Sequence, residues 1–109
     1  MNYKVEVTSY FKKQSKRLIK KFPSLKQEIL ELISLLEKDP KQGTPIIENC
    51  FKIRLAISSK GKGKSGGARV ITHVHYVRNQ VFLLSIYDKS ELSDIADKEL
   101  KELVASVSE

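Results

Sequence analysis

Basic side chains spaced for one face of a sheet are the first candidates for chemistry in this sequence. Lys52 and Arg54 alternate with apolar residues, Arg69 opens the next alternating run, and residues 87–89 (Tyr-Asp-Lys) end a third. Fixed arginine and lysine groups stabilise a phosphodiester whose negative charge grows in the transition state. The set therefore indicates a site for a phosphate-containing substrate, with Lys52, Arg54, Arg69, Tyr87 and Lys89 as its candidate catalytic residues.

The order of the runs predicts that these residues meet. Short links make the three runs an antiparallel meander, so the end of the third strand lies beside the start of the second. Arg69 should therefore lie near residues 87–89 and, at a strand start, contribute little to packing. Lys52 and Arg54 belong to the strand paired with the second, in a register that the long intervening loop leaves open.

Two further groups of basic residues are candidates for binding a polyanion such as RNA. Residues 60–67 interleave lysines with glycine and serine, which suits either close approach to a phosphate chain or a mobile connector. This stretch is no nucleotide-binding P-loop, because Ser58 stands where that motif needs glycine. The second group lies on the first predicted helix, where the alternative is a solvated surface. The candidates are Lys60, Lys62, Lys64, Lys12, Lys13, Lys16 and Arg17.

The histidines and the single cysteine do not predict a metal site. His73 and His75 share a strand face, but Cys50 is the only thiol, so a closed zinc site would need carboxylates from elsewhere. A histidine on the face of Arg69 could act as a general base or a phosphate contact, which makes His73 a further catalytic candidate. The alternative is a strand histidine without a task. We expect no metal and no other cofactor.

Length, composition and charge limit the class of protein. The 109 residues suit one domain, spanning 1–109, and the single cysteine excludes an internal disulfide and fits a reducing compartment. Neither a signal peptide nor a membrane-spanning run is visible, so we expect a cytoplasmic protein with no membrane partner. The net charge is +7: residues 1–87 carry +11 and residues 88–109 carry −4. Such segregation attracts polyanions, nucleic acid above all.

Hydrophobic periodicity predicts the elements that position these residues. The order is β-α-α-β-β-β-α, an α+β fold in which a helical hairpin and a C-terminal helix pack on a mainly antiparallel sheet. Ser24 opens the second helix with Gln27 as its capping partner, and residues 43–45 are loop. The predicted strands cover about residues 3–8, 51–58, 68–77 and 81–87; the helices run from about 9 to 22, from 24 to 39, and from between Ser90 and Asp94 to about Val107.

At these residues the chain resembles the RelE/HigB toxins of bacterial type II toxin–antitoxin modules, within the RelE/ParE superfamily. The resemblance is carried by Phe-Lys-Ile-Arg-Leu at 51–55, by the loop at 60–67 with Ala-Arg-Val-Ile at 68–71, and by Leu-Ser-Ile-Tyr-Asp-Lys-Ser-Glu at 84–91. The loop is close to HigB-type members. The resemblance implies a RelE-like fold and a metal-independent endoribonuclease that cleaves mRNA on the ribosome, inhibits translation, and is held inactive by an antitoxin.

The resemblance also implies roles for individual residues. Lys52 and Arg54 match the basic strand pair of the family, Arg69 its phosphate-stabilising arginine, and Lys89 its basic residue after the last strand. The sequence departs from RelE at the tyrosine that helps activate the 2′-hydroxyl, because an ungapped reading places Ile95 there. The general base stays open among His73, Tyr87, Glu91 and a lysine.

Two alternative functions remain open from the sequence. One is a binding module of the same fold without nuclease activity, either gyrase-directed like ParE or RNA-binding; the other is a structural RNA-binding protein. A toxin this basic should have a small acidic antitoxin that places carboxylates near Lys52, Arg54 or Arg69. The acidic segment 88–109 could instead shield the basic residues in cis, and a homodimer could do the same.

Overall fold

Among the residues that the structure describes, five strands form one sheet with helices on both of its faces. The computed structural model describes residues 2–61 and 63–108. Short 3₁₀ turns at Ser58–Lys60 and Lys64–Gly66 lie in the β3–β4 connection. The elements are β1 (Lys4–Val7), α1 (Ser9–Lys21), α2 (Leu25–Lys38), β2 (Thr44–Pro45), β3 (Cys50–Leu55), β4 (Ala68–His75), β5 (Gln80–Asp88) and α3 (Asp97–Val107).

The sheet order is β1-β5-β4-β3-β2, and it confirms the predicted α+β fold. β3, β4 and β5 form the antiparallel meander, with β2 antiparallel to β3 and β1 parallel to β5. The central strand β4 is buried over seven of its eight residues. A meander of this kind fixes which side chains of neighbouring strands stand opposite each other, because each link is local in the chain.

One face of the sheet packs against α1 and α2. The Thr8 hydroxyl accepts a hydrogen bond from the Phe11 amide (3.2 Å) and caps α1, which ends at Lys21, two residues before Pro23. Leu18 of α1 and Leu32 of α2 are buried with residues of alternate positions on β4 and β5. The apolar stripes of the two helices and the inward positions of the strands therefore make one core layer.

The other face packs against α3. Leu100 and Val104 of α3 are buried with Ile71 of β4 and with Leu84 and Tyr87 of β5. Successive residues of a strand point to opposite faces, so Ile71 faces α3 while its neighbour Val70 faces α1 and α2. The candidate residues on β3 and β4 thus lie on the side of the sheet that α3 covers.

The start of the last helix was predicted wrongly. α3 begins at Asp97, not between Ser90 and Asp94, because residues 89–91 form a turn and residues 92–96 have no regular secondary structure. The Asp88 carboxylate accepts hydrogen bonds from the amide and the hydroxyl of Ser90 (3.0 and 2.8 Å). The Asp94 carboxylate accepts one from the amide of Ile95 (2.9 Å). Such local side-chain bonds compete with helix formation.

Smaller differences from the sequence prediction concern caps and strand ends. Residues 43–45 are not entirely loop, since Thr44 and Pro45 pair with β3. Gln27 is not the capping partner of Ser24, because the Ser24 hydroxyl bonds the carboxylate of Glu28 (3.1 Å). β3 ends at Leu55 and β4 at His75, each earlier than predicted. No helix in the described ranges is both long and apolar enough to cross a bilayer.

Candidate active site on the α3 side of the sheet

Three candidate residues stand in one row across the meander. Arg54 of β3 pairs with Arg69 of β4, and Arg69 pairs with Tyr87 of β5. Directly opposed residues of antiparallel strands point to the same face, with Cβ atoms roughly 4.5–5.5 Å apart. Lys52 lies two residues before Arg54 on β3 and therefore on the same face. The expected proximity of Arg69 to residues 87–89 is confirmed, and the structure supplies the register of β3.

Arg69 is buried, so the expectation that it contributes little to packing is wrong. Only 5% of the residue is exposed. Its guanidinium donates hydrogen bonds to the carbonyl oxygens of Ala68 (3.1 Å) and Ser65 (3.3 Å), which fix its orientation at the start of β4. Arg54, in contrast, is exposed. Like charges directly opposite each other destabilise a sheet. An anion bound over the row would offset the repulsion between these two arginines, so the pair favours anion binding.

Tyr87 and Lys52 meet at the carboxylate of Asp94, a residue that the sequence did not single out. Asp94 Oδ1 lies 3.1 Å from Lys52 Nζ and 3.4 Å from the Tyr87 hydroxyl oxygen. The Lys52 ammonium holds the pKa of Asp94 below its ordinary value, chiefly by this hydrogen bond. Burial, with the Asp94 charge beside it, raises the pKa of Tyr87 to about 12. The hydroxyl therefore keeps its proton at neutral pH and can donate it.

A cavity adjoins this contact on the side of α3. Its volume is about 290 Å³, and Lys52 and Asp94 line it together with apolar residues of the β2–β3 connection and of α3. A ligand in this space would lie beside the Lys52 ammonium and the Asp94 carboxylate.

Lys89 lies next to the row and holds the segment that follows β5. Its backbone amide donates to the carbonyl oxygen of Gly67 (3.0 Å), which ties it to the start of β4. Its Nζ donates to the carbonyl oxygen of Ser93 (2.7 Å). The structure therefore brings Lys52, Arg54, Arg69, Tyr87 and Lys89 together around the Arg69 end of β4.

His73 does not belong to this group. It lies four residues beyond Arg69 on β4, which is roughly 13 Å along a strand. Its Nδ1 is 3.7 Å from the Sγ of Cys50, and burial lowers its pKa. Burial also raises the pKa of the Cys50 thiol to about 12, which makes it an inert thiol at neutral pH. No group of three or more potential metal ligands occurs in the parts of the chain that the structure describes.

Lys60 does not project into solvent as its place in a glycine-rich loop suggested. Its ammonium forms an ion pair with Asp88 and donates to the Ser90 hydroxyl (3.0 Å), and only 9% of the side chain is exposed. Burial alone would raise the pKa of Asp88, but the hydrogen bonds from Lys60 and Ser90 outweigh it and lower the pKa. Lys62 and the side chain of Lys64 lie outside the described residues.

The basic residues of α1 lie apart from the row. α1 packs on the opposite face of the sheet, and Lys12, Lys13, Lys16 and Arg17 are all exposed there. Arg17 donates to the carboxylate of Glu91 with NH2 at 2.8 Å from Oε1. Glu91, one of the candidates for the general base, is thus engaged by α1 rather than by the row.

The fold is that of a RelE-type toxin. A solved structure of an Escherichia coli RelE variant in the free state superposes with a TM-score of 0.62, over 99% of this chain and 100% of that one. The two sequences are only 15% identical, so the likeness concerns the fold. No family model matches the sequence.

The RelE-like fold confirms the architecture that the sequence resemblance implied. Asp94 is the residue of the site that sequence reasoning missed. The hydroxyl of Tyr87 reaches Asp94, next to Ile95, the position where the ungapped comparison with RelE expects a tyrosine.

Proposed function

We propose that this chain is a toxin of a type II toxin–antitoxin module and acts as a metal-independent endoribonuclease on ribosome-bound mRNA. The observation that supports this proposal is the row of Arg54, Arg69 and Tyr87 with Lys52 beside it on one sheet face. A nuclease without a metal needs fixed cations for the phosphate and a proton donor for the leaving oxygen. The row has both kinds of group.

In the proposed reaction the 2′-hydroxyl of the RNA attacks the adjacent phosphorus. The 2′-oxygen–phosphorus bond forms, the bond from phosphorus to the 5′-oxygen of the next nucleotide breaks, and a 2′,3′-cyclic phosphate and a 5′-hydroxyl result. The 2′-hydroxyl loses its proton to a base, and the leaving 5′-oxygen gains one from an acid. Negative charge on the phosphoryl oxygens grows at the transition state, and we assign its stabilisation to Arg54 and Arg69.

Tyr87 is suited to act as the general acid in this reaction. Its pKa of about 12 keeps the hydroxyl protonated, and its position opposite Arg69 brings it to the same phosphate. We do not assign the base to His73 or Glu91, because the first lies along β4 beyond the row and the second is paired with Arg17.

The remaining features of the proposal concern subtype and partners. The lysine-glycine loop favours a HigB-type member, and we propose an acidic antitoxin, the ribosome and mRNA as partners of a single cytoplasmic domain spanning residues 1–109. We further propose that Lys62, Lys64 and the exposed basic residues of α1 contact RNA or ribosome.

Primer extension on mRNA with and without ribosomes tests the proposed activity. The wild-type protein should produce cleavage products only when ribosomes are present. Arg54→Ala removes an exposed side chain and should reduce the rate by about 10²–10³-fold; Arg69→Lys, which keeps a charge at the buried position, should also be impaired. Lys38→Ala removes one charge at the exposed end of α2 and should cleave normally. RNA binding without cleavage by the wild type would favour the nuclease-free binding module.

A further inference from the structure

Two neighbouring residues of the segment after β5 accept hydrogen bonds from the two lysines of the site. Asp94 Oδ1 accepts hydrogen bonds from Lys52 Nζ (3.1 Å), the Tyr87 hydroxyl (3.4 Å) and the Ile95 amide (2.9 Å). The carbonyl oxygen of the preceding Ser93 accepts from Lys89 Nζ (2.7 Å). Residues 93–94 therefore accept hydrogen bonds from two candidate site lysines, Lys52 and Lys89.

The Asp94 carboxylate also resembles an RNA phosphate in its negative charge and in the hydrogen bonds that it accepts. An anionic oxygen that accepts from an ammonium, a tyrosine hydroxyl and a backbone amide has the partners that a phosphoryl oxygen would have at this place. The position lies beside Tyr87, which pairs with Arg69 across the sheet, so a phosphate bound there would be attracted by the basic residues of the row. A phosphate and the carboxylate cannot both take the Lys52 and Tyr87 donors without like-charge repulsion.

The segment is built so that it can leave this position. Residues 90–94 are all exposed, and residues 89–96 belong to neither helix nor strand. The Asp94 side chain is 60% exposed and that of Lys52 is 29% exposed, so the ion pair is accessible to solvent and to ions. Such pairs are weak and are screened by salt.

We propose that residues 93–94 form an intramolecular strap in which Asp94 occupies the phosphate position, so that an RNA phosphate binds by displacing it. This inference rests on the proposed function only in naming RNA as the incoming anion. Asp94 acts here as a competitor and not as a catalytic residue. Lys89 helps to keep the strap in place through the Ser93 carbonyl, and RNA contacts to Lys89 would loosen it.

Binding of a non-cleavable RNA separates the strap from the chemistry. The probe is a single-stranded oligonucleotide with 2′-O-methyl groups, followed by fluorescence anisotropy between about 50 and 300 mM salt. Asp94→Asn keeps the size of the side chain and removes its charge. Asp97→Asn is the matched control, since Asp97 lines the same cavity and forms none of the described hydrogen bonds or ion pairs with Lys52.

Asp94→Asn should bind the probe about 1.5–5-fold more tightly than the wild type, the range expected for loss of an exposed ion-pair partner. The slope of log K against log salt should be steeper for Asp94→Asn than for the wild type, because in the wild type the displaced Asp94 carboxylate takes up a cation and offsets part of the counterion release from the RNA. Titration of the wild type with the probe should also shift the NMR signal of the Ile95 amide, whose acceptor is displaced. Asp97→Asn should match the wild type in affinity and slope.

Equal affinity and slope for Asp94→Asn and Asp97→Asn would overturn the strap, and so would an Ile95 amide signal that RNA leaves unchanged. Loss of cleavage in Asp94→Asn with unchanged probe binding would also overturn it, because Asp94 would then act in the reaction. If the wild type fails to cleave mRNA on ribosomes, the proposed function fails while these binding comparisons still decide the inference.

Discussion

Tyr87 combines a buried ring with a hydroxyl group that reaches the proposed site on the α3 side of the sheet. Removing only the oxygen by Tyr87→Phe leaves the ring to pack in the core under α3. Loss of a general acid should lower the cleavage rate by about 10²-fold, while the fold changes little. Single-turnover cleavage on programmed ribosomes measures the rate, and thermal unfolding checks the fold. A rate within about twofold of the wild type would rule out Tyr87 as the acid.

Tyr10→Phe is the matched control for this change. Tyr10 lies on α1, is exposed, and its hydroxyl donates a hydrogen bond to Glu99 (3.4 Å) away from the row.

Because the pKa of Tyr87 is raised to about 12, the Tyr87 hydroxyl stays protonated from pH 7 to 10. Its ionisation should therefore cause no fall in the wild-type rate over that interval.

At the scale of elements, the Lys60–Asp88 ion pair ties the β3–β4 connection to the end of β5. Asp88 is 1% exposed, and the Lys60 ammonium also lies 5.4 Å from the centre of the Phe22 ring. Lys60→Met should lower the free energy of unfolding by roughly 3 kcal/mol, because it leaves the Asp88 carboxylate buried without its cation. Urea unfolding at pH 7 measures the loss; Lys13→Met, at an exposed position of α1, should change little.

The pH dependence gives a second test of the same pair. The folded-state pKa of Asp88 is lowered, so its contribution to stability is present above the ordinary carboxyl pKa and is lost as pH falls through the folded value. The difference in unfolding free energy between wild type and Lys60→Met should therefore shrink below pH 4. A difference that is constant down to pH 2 would assign the loss to packing.

The elements also show which parts of the molecule the sequence can predict. Alternation placed β3, β4 and β5, and Arg69 lies beside Tyr87 as predicted because the short β4–β5 link allows few registers. The predicted start of α3 was wrong because hydrophobic periodicity does not detect side chains that form hydrogen bonds with the nearby backbone, as those of Asp88 and Asp94 do. Asp94 was missed for a related reason: its partner Lys52 is 42 residues away, and no local pattern marks that contact.

Across the whole molecule, the acidic C-terminal segment neutralises particular bases without covering the positive face. Three of its carboxylates each pair with a base of the first 87 residues, while Arg54 stays exposed. Shielding in cis is thus confined to single contacts among the described residues. The net charge of +7 remains, which favours a polyanion or an acidic protein as the partner. The pairs are Asp88 with Lys60, Glu91 with Arg17 and, at 4.0 Å, with Lys21, and Asp94 with Lys52.

Expression in bacteria tests the whole-molecule proposal, because a toxin and a harmless RNA-binding protein differ in what they do alone. The chain expressed by itself should arrest growth, and co-expression of the adjacent open reading frame should restore it. Its product should be a small acidic protein whose carboxylates reach Arg54 or Arg69, since a partner that covers the row both neutralises the charge and blocks the substrate. Arg54→Ala should be harmless at equal protein level, while Lys38→Ala should arrest growth like the wild type. If soluble, folded wild-type protein is expressed without any partner and does not impair growth, this would contradict the proposal that the chain is a toxin and favour an RNA-binding module.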